Sequence, residues 1–312
     1  MARALLLLTV LAGCYSPQVQ VGATCSESGA CPAGQHCYGG TCLLHPPGDD
    51  DAAVDVPFDV VGGSDARIDG PPVDAFVSPV WLAPTPVPGV NTTGGESDPC
   101  VSPDQLTIVF QRGSDLMIGT RATKAAAFAV QPLTTLNSPA EDASPELTGN
   151  GTAIYFTSDR LTAGSGDVYR SVFSGGAWQP PTLEVALSEP TLDDGDVAIS
   201  PDGLTAFVAR AGTLMKSTRP TTASAWATPA STGTAWGSAP AAPAINLAGD
   251  IYLHARNPRD LFVSRKAGTS YPAPVLITEL FGALSRDAAP FVSADDLYLW
   301  FERDGDLFET HR

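Results

Sequence analysis

From residue 80 onward the apolar residues fall into short runs, some alternating with polar residues and some continuous, each closed by Pro, Gly, Asn or Asp. Such runs read as strands, because strand side chains alternate between two faces and the turn residues supply the backbone angles that end them. The runs also repeat. A tight turn falls at Ser102-Pro103-Asp104, Thr148-Gly149-Asn150-Gly151, Ser200-Pro201-Asp202-Gly203, Asn246-Leu247-Ala248-Gly249 and Ser293-Ala294-Asp295, at steps of 46, 52, 46 and 47 residues. A second landmark keeps the same beat: Asp115-Leu116-Met117, Asp167-Val168-Tyr169, Thr213-Leu214-Met215, Asp260-Leu261-Phe262 and Asp306-Leu307-Phe308. Periods of this length mark radial arrays of small sheets.

Each unit predicts four strands. The first carries Pro, as in Ser97-Asp98-Pro99-Cys100-Val101; the second follows the turn, as in Leu106 to Phe110; the Asp-apolar landmark is the third. A variable fourth carries aromatic and Pro residues, at Ala177 to Pro180, Ala225 to Pro229 and Ser270 to Pro274. Four strands per unit is the anatomy of a propeller blade. The innermost segments read Cys100-Val101, Glu146-Leu147, Val197-Ala198, Ala244-Ile245 and Phe291-Val292, in which Glu146 is the single acid, a lining that suits a narrow or plugged channel. The last unit reaches Arg312 after its third strand, and Val80-Trp81-Leu82-Ala83-Pro84 has the fourth-strand signature without three strands before it. Residues near 80 to 91 are therefore expected to complete the last sheet and close the ring, which removes exposed edges. The expectation is an all-β, five-bladed β-propeller over residues 79–312.

The residues that carry these landmarks, Ser200-Pro201-Asp202-Gly203 and Ile154-Tyr155-Phe156-Thr157-Ser158 with Asp167-Val168-Tyr169, resemble the WD-like propeller repeat of the TolB type. That family implies a platform for protein partners, with some relatives that are peptidase accessory domains or carbohydrate-active. Its Tol-associated propeller has six blades, whereas the landmarks here count five.

The first 78 residues have another character. Met1 to Cys14 reads as an export signal, with Arg3, an apolar run from Ala4 to Leu11, and a processing site. Leu11-Ala12-Gly13-Cys14 resembles the bacterial lipobox. The resemblance implies cleavage after residue 13 and a lipid on Cys14, and Tyr15 in place of Asp favours the outer membrane of the cell envelope. Cys25, Cys31, Cys37 and Cys42 lie within 18 residues and look like a small cysteine-rich, EGF-like module. Outside the cytoplasm they read as two disulfides of open connectivity; zinc, with His36 nearby, is the competing reading, but no Cys-x2-Cys pair is present. Residues 43–78, with eight Asp against one Arg and recurrent Pro and Gly, form an acidic tether. Its aspartates lack the spacing of a calcium loop. Extended at roughly 3 Å per residue, it spans on the order of 100 Å.

The formal charge of −17 argues against nucleic acid as a partner, because phosphate backbones are repelled. The four histidines, His36, His45, His254 and His311, are scattered, so no metal, cofactor or hydrolytic triad is expected, and the chain reads as a binding protein and not an enzyme. His254 reads as a strand residue at a blade rim and Cys100 as a buried free thiol. One constellation remains. The loops entering the first strands carry Glu96 and Asp98, Glu141 and Asp142, Asp193, Asp194 and Asp196, and Asp287. If these loops ring one channel mouth, the acids form a funnel for a basic peptide or a cation; the competing reading has them holding turns or pairing with Arg. An envelope protein or peptide is the expected partner. The alternative is a glycan-binding or glycoside-hydrolase-like propeller, with Trp178, Trp226 and Trp236 stacking on sugars.

Overall fold

The computed structural model describes residues 80–312 apart from 235, 237–239, 257–258 and 283–284, with residues 240 and 256 and the segments 36–38 and 41–43 described by their backbone. The chain divides into two units, residues 1–72 and 73–312. In the first, β1 (His36–Tyr38) and β2 (Thr41–Leu43) pair antiparallel, with Cys37 and Cys42 opposite one another in register. The export signal, Cys14, Cys25, Cys31 and the tether lie outside the described residues.

In the second unit the described residues form five antiparallel sheets. Blade 1 runs Glu96–Val101, Thr107–Arg112, Asp115–Thr120 and Ala129–Pro132 from its inner to its outer strand. Blade 2 runs Asp142–Leu147, Ala153–Thr162 and Ser165–Ser174, with two short outer pieces, Ala177–Trp178 and Thr182–Leu183, both paired to its third strand. Blade 3 runs Asp194–Ile199, Thr205–Arg210, Thr213–Thr218 and Ala230–Ser231. Blade 4 runs Pro240–Ile245, Ile251–Arg256, Arg259–Ser264 and Val275–Leu276. Blade 5 has Asp287–Val292, Tyr298–Arg303 and Asp306–His311 from the end of the chain, and its outer strand is Thr85–Pro86. Each inner strand packs against the next, and the fifth against the first. The architecture is a closed five-bladed β-propeller.

The recurrent Ser-Pro-Asp turn has a local cause. Ser102 Oγ donates to Asp104 Oδ1 at 2.6 Å and accepts from the Thr107 amide at 2.9 Å, while Asp104 Oδ1 accepts from the Leu106 amide at 2.9 Å. The same three bonds recur at Ser200, Asp202, Leu204 and Thr205, and at Ser293, Asp295, Leu297 and Tyr298. In blade 2 Thr148 and Asn150 replace Ser and Asp and preserve the pattern. A short side chain that bonds its own backbone two residues on fixes the turn, which explains why the signal is readable locally. Gly203, at φ +71°, occupies the left-handed position that such a turn requires.

The core is a set of interfaces between blades. Phe156, Ile154 and Leu136 join Cys100, Val109 and Leu116 between blades 1 and 2. Phe207, Ile251 and Leu253 pack with Trp236 and Tyr271 between blades 3 and 4. The expected fourth strands at Ala225–Pro229 and Ser270–Pro274 lie a few residues early: Trp226 and Tyr271 are buried plugs, and the pairing residues follow at 230–231 and 275–276. The aromatic signal thus marks the segment that seals the interface before the edge strand forms.

Closure is built from both ends of the unit. Phe308 and Glu309 pair with Pro86 and Thr85, the Leu82 amide donates to the His311 carbonyl at 2.9 Å, and Thr310 Oγ1 donates to the Leu82 carbonyl at 2.7 Å. Trp81, only 6% exposed, meets the Tyr252 ring edge-on at 6.4 Å and carries the Arg312 guanidinium over its face. Replacing Trp81→Ala removes this plug between blades 4 and 5 and is expected to cost about 3–5 kcal/mol of propeller stability in chemical denaturation. Trp178→Ala, at the half-buried blade edge, should cost much less in the same assay.

Candidate binding site in the central channel

The acids of the entry loops divide into two structural groups. The first residue of the inner strand is an acid in four blades, and each pairs with an arginine at or near the end of the second strand. The pairs are Glu96 with Arg112 at 2.7 Å, Asp142 with Arg160 at 2.5 Å, Asp194 with Arg210 at 2.6 Å and Asp287 with Arg303 at 2.6 Å. In each case the arginine also donates to a carbonyl of the preceding loop, from Val90, Leu136, Leu187 and Leu280. Three of the four carboxylates further accept a backbone amide, from Thr92, Ser138 and Glu189. All four carboxylates are buried. Their charges are neutralised, and they fasten each loop to its sheet. Burial pushes the Asp194 carboxyl above its usual range, with the Arg210 bond opposing that rise.

The second group faces the channel. Every inner strand carries a register shift near its start, a β-bulge that locally redirects the strand. Two residues along these strands lie Asp98, Ser144, Asp196, Ala242 and Ala289, at the shift itself in four blades, whereas in blade 3 the shift falls at Gly195 and Asp196 pairs with Ala209. Four of these precede Pro and sit at positive φ, Asp98 at 50° and Ser144 at 49° among them; Asp196, followed by Val197, does not share that conformation. Asp196 bridges three blades: Oδ1 accepts from Ser144 Oγ at 2.7 Å and Oδ2 from the Ala242 amide at 2.9 Å. Asp98 has no arginine clasp. Burial and the nearby Asp196 raise its pKa to about 7, against a hydrogen bond from Ser97 and the more distant Arg259. Arg259 itself pairs with Glu302 at 2.9 Å.

Above this ring of bulges, Glu141 and Asp193 stand at the rim, so that Asp98, Glu141, Asp193 and Asp196 border one polar hollow of about 380 Å³, with Gln111 and Thr157 in its wall. Glu141 receives the Gln111 amide at 3.3 Å and Asp193 receives the Gly166 backbone amide at 2.9 Å. Below the ring, Glu146 and Phe291 project where the channel narrows. The inner-strand segments in which Glu146 was the single acid need correction: the strands begin earlier, so that Glu96, Asp98, Asp142, Asp194, Asp196 and Asp287 also belong to them.

His254 lies in the second strand of blade 4, buried, and its Nδ1 accepts the Ala289 amide of blade 5 at 3.1 Å. Cys100 is a buried free thiol whose Sγ accepts the Leu147 amide at 3.1 Å; burial holds its pKa well above the ordinary value. Trp226 and Trp236 are each 5% exposed and unavailable for stacking on a sugar, which corrects their assignment as surface aromatics. Trp178 is half-buried and meets the exposed Phe173 ring at 5.2 Å. Among the described residues no group of three or more His, Cys, Asp and Glu is arranged to hold a metal ion, and no helix is long and apolar enough to cross a membrane.

The class defined by this geometry is a five-bladed β-propeller with a polar channel mouth. No family model matches the chain, and no curated protein does. Solved structures do resemble it. TolB from Acinetobacter baumannii is 12% identical over 71% of this chain and 55% of its own, with a TM-score of 0.44. A gluconolactonase from Xanthomonas campestris is 11% identical over 73% of this chain and 89% of its own, at 0.45. A catalytically inactive variant of virginiamycin B lyase from Staphylococcus aureus is 14% identical over 71% of this chain and 67% of its own, at 0.41. The expectation that the chain is not an enzyme is corrected by these likenesses: propellers of this kind include enzymes, so the absence of catalysis does not follow from the fold.

The arginine clasps yield a stability prediction. Arg210→Met leaves the buried Asp194 without its cation and should cost about 3–5 kcal/mol at pH 8. The loss should shrink as the pH falls, because burial favours the protonated form of the carboxyl, and Arg210→Met with Asp194→Asn should recover much of it in thermal melts.

Proposed function

We propose that this propeller is a receptor of the cell envelope, held to a membrane through lipid on Cys14, for a protein or peptide segment that presents basic side chains to the acidic channel mouth. One observation carries the reading. Four entry-loop carboxylates are neutralised by arginines, whereas Asp98, Glu141, Asp193 and Asp196 converge on one hollow without such a clasp. Like charges around a low-dielectric cleft add their fields and concentrate cations there. The signal-like start, the cysteine-rich segment and the acidic tether support an extracytoplasmic setting.

The pH dependence has a defined sign. Asp98 titrates near pH 7, so it is neutral at pH 6 and charged at pH 8. Binding of a lysine-rich peptide, read by fluorescence anisotropy, should strengthen severalfold from pH 6 to pH 8 and weaken with salt. Asp98→Asn with Asp196→Asn should abolish both the binding and its pH slope. Equal binding of acidic and basic peptides would sink the reading.

A second reading rests on the ring pair of exposed Phe173 and half-buried Trp178. Phe173 and Trp178 flank a groove of about 490 Å³ between blades 1 and 2, whose wall includes Asp104, Thr107, Thr120 and Asn150. Aromatic faces beside hydroxyl, amide and carboxylate groups suit a saccharide. A glycan array should then give binding that is lost in Trp178→Ala.

A further inference from the structure

On the face opposite the acidic mouth, the turns that follow the inner strands surround a separate cavity of about 190 Å³. Its wall is apolar, from Val101, Leu147, Ile199, Ile245, Phe291 and Val292, and its rim is formed by turn residues including Ser102, Pro201 and Ser293. One ionisable side chain, Glu146, stands at its inner end. Glu146 Oε1 accepts the Ile199 amide at 3.4 Å, and the Cys100 thiol of blade 1 lies against the carboxyl. An apolar cavity of about 150 Å³ admits a benzene-sized molecule. This one is slightly larger and adds a few polar side chains, Glu146 at the inner end and Gln105, Ser102, Ser293 and Asp295 toward the turns, the pattern of a small-molecule site in which an apolar wall supplies affinity and a few polar groups set orientation.

We propose that this cavity binds a small neutral ligand, an aromatic or branched aliphatic group of about benzene size bearing one carboxamide, with the amide hydrogen-bonded to the carboxyl of Glu146. The choice of a neutral head group follows from the surroundings. Burial raises the Glu146 pKa to about 8, opposed by the Ile199 amide and the Cys100 thiol, so at neutral pH the group is a protonated acid able to donate and accept. The other ionisable groups around it offer no cation: Asp98 and Asp196 lie beyond it in the narrow part of the channel and Asp295 on the outer rim. A carboxamide matches a carboxylic acid donor for acceptor and leaves no charge buried. An ammonium head would require the acid to ionise in an apolar wall, which desolvation opposes. The site is independent of the acidic mouth and stands or falls without it.

The test uses the full chain and benzamide as the probe, followed by NMR of the Ile199, Ile245 and Val292 methyl groups. Saturable shifts of these methyls are expected at pH 6, with apparent affinity falling about tenfold by about pH 9, as the neutral fraction of a group titrating near 8 declines. Glu146→Gln, which keeps a donor and an acceptor, should retain binding and lose the pH dependence. Glu146→Leu should lose binding while the melting curve shows the fold intact, and Ile245→Trp should lose it by filling the space. Benzylamine should bind more weakly than benzamide at pH 6. Benzylamine binding that is tighter, or that strengthens toward pH 9, would overturn the neutral-ligand assignment, and methyl shifts that never saturate would overturn the site.

Discussion

A small sheet that is apolar on both faces has no stable existence alone, and the whole propeller follows from that constraint. Each blade covers one face with its predecessor and the other with its successor, and the last face can be covered only if the array returns to its start. The return here depends on a strand of two residues, Thr85–Pro86, lying against Phe308 and Glu309, with Trp81 driven into the seam between blades 4 and 5. Every other feature presupposes this seam. The channel exists because five inner strands stand around one axis, and the two cavities exist because that axis has two ends.

The acidic residues show how one residue type serves two purposes within a repeat. At the start of the inner strand, a carboxylate buried against arginine and a loop carbonyl acts as a fastener. Two residues further on, beside the bulge, the side chain faces the axis, where the arginine of its own blade is already engaged by the first residue of the strand. Asp98 and Asp196 therefore face the axis without the guanidinium partner that compensates Glu96 and Asp194. Blade 4 departs from both patterns, with Pro240 and Ala242 at these positions, and Asp196 crosses to the Ala242 amide where an acid of that blade would otherwise stand. The ring is thus chemically lopsided: the charge gathers on blades 1 to 3, and the apolar end widens below.

How legible this was can be traced to the range of the interactions concerned. The Ser-Pro-Asp turns are made by side chains bonding their own backbone within five residues, so their spacing counted five blades directly. The fourth strands were displaced by a few residues, because Trp226 and Tyr271 look like edge-strand residues and serve as interface plugs; only the neighbouring blade distinguishes the two. The entry-loop acids were recognisable as a set. Which of them were clasped was not, since each arginine lies 16 or 18 residues away on another strand.

The amino-acid order on its own determined the strand content, the period, the number of blades and the segment that closes them, because local turns and short-range patterning carry that information. The tertiary structure alone decided which carboxylates are neutralised, which face the axis, and that Glu146 ends an apolar cavity. Those outcomes depend on bulges and on contacts between strands of different blades, where burial and the nearest charge are set by residues far away along the chain.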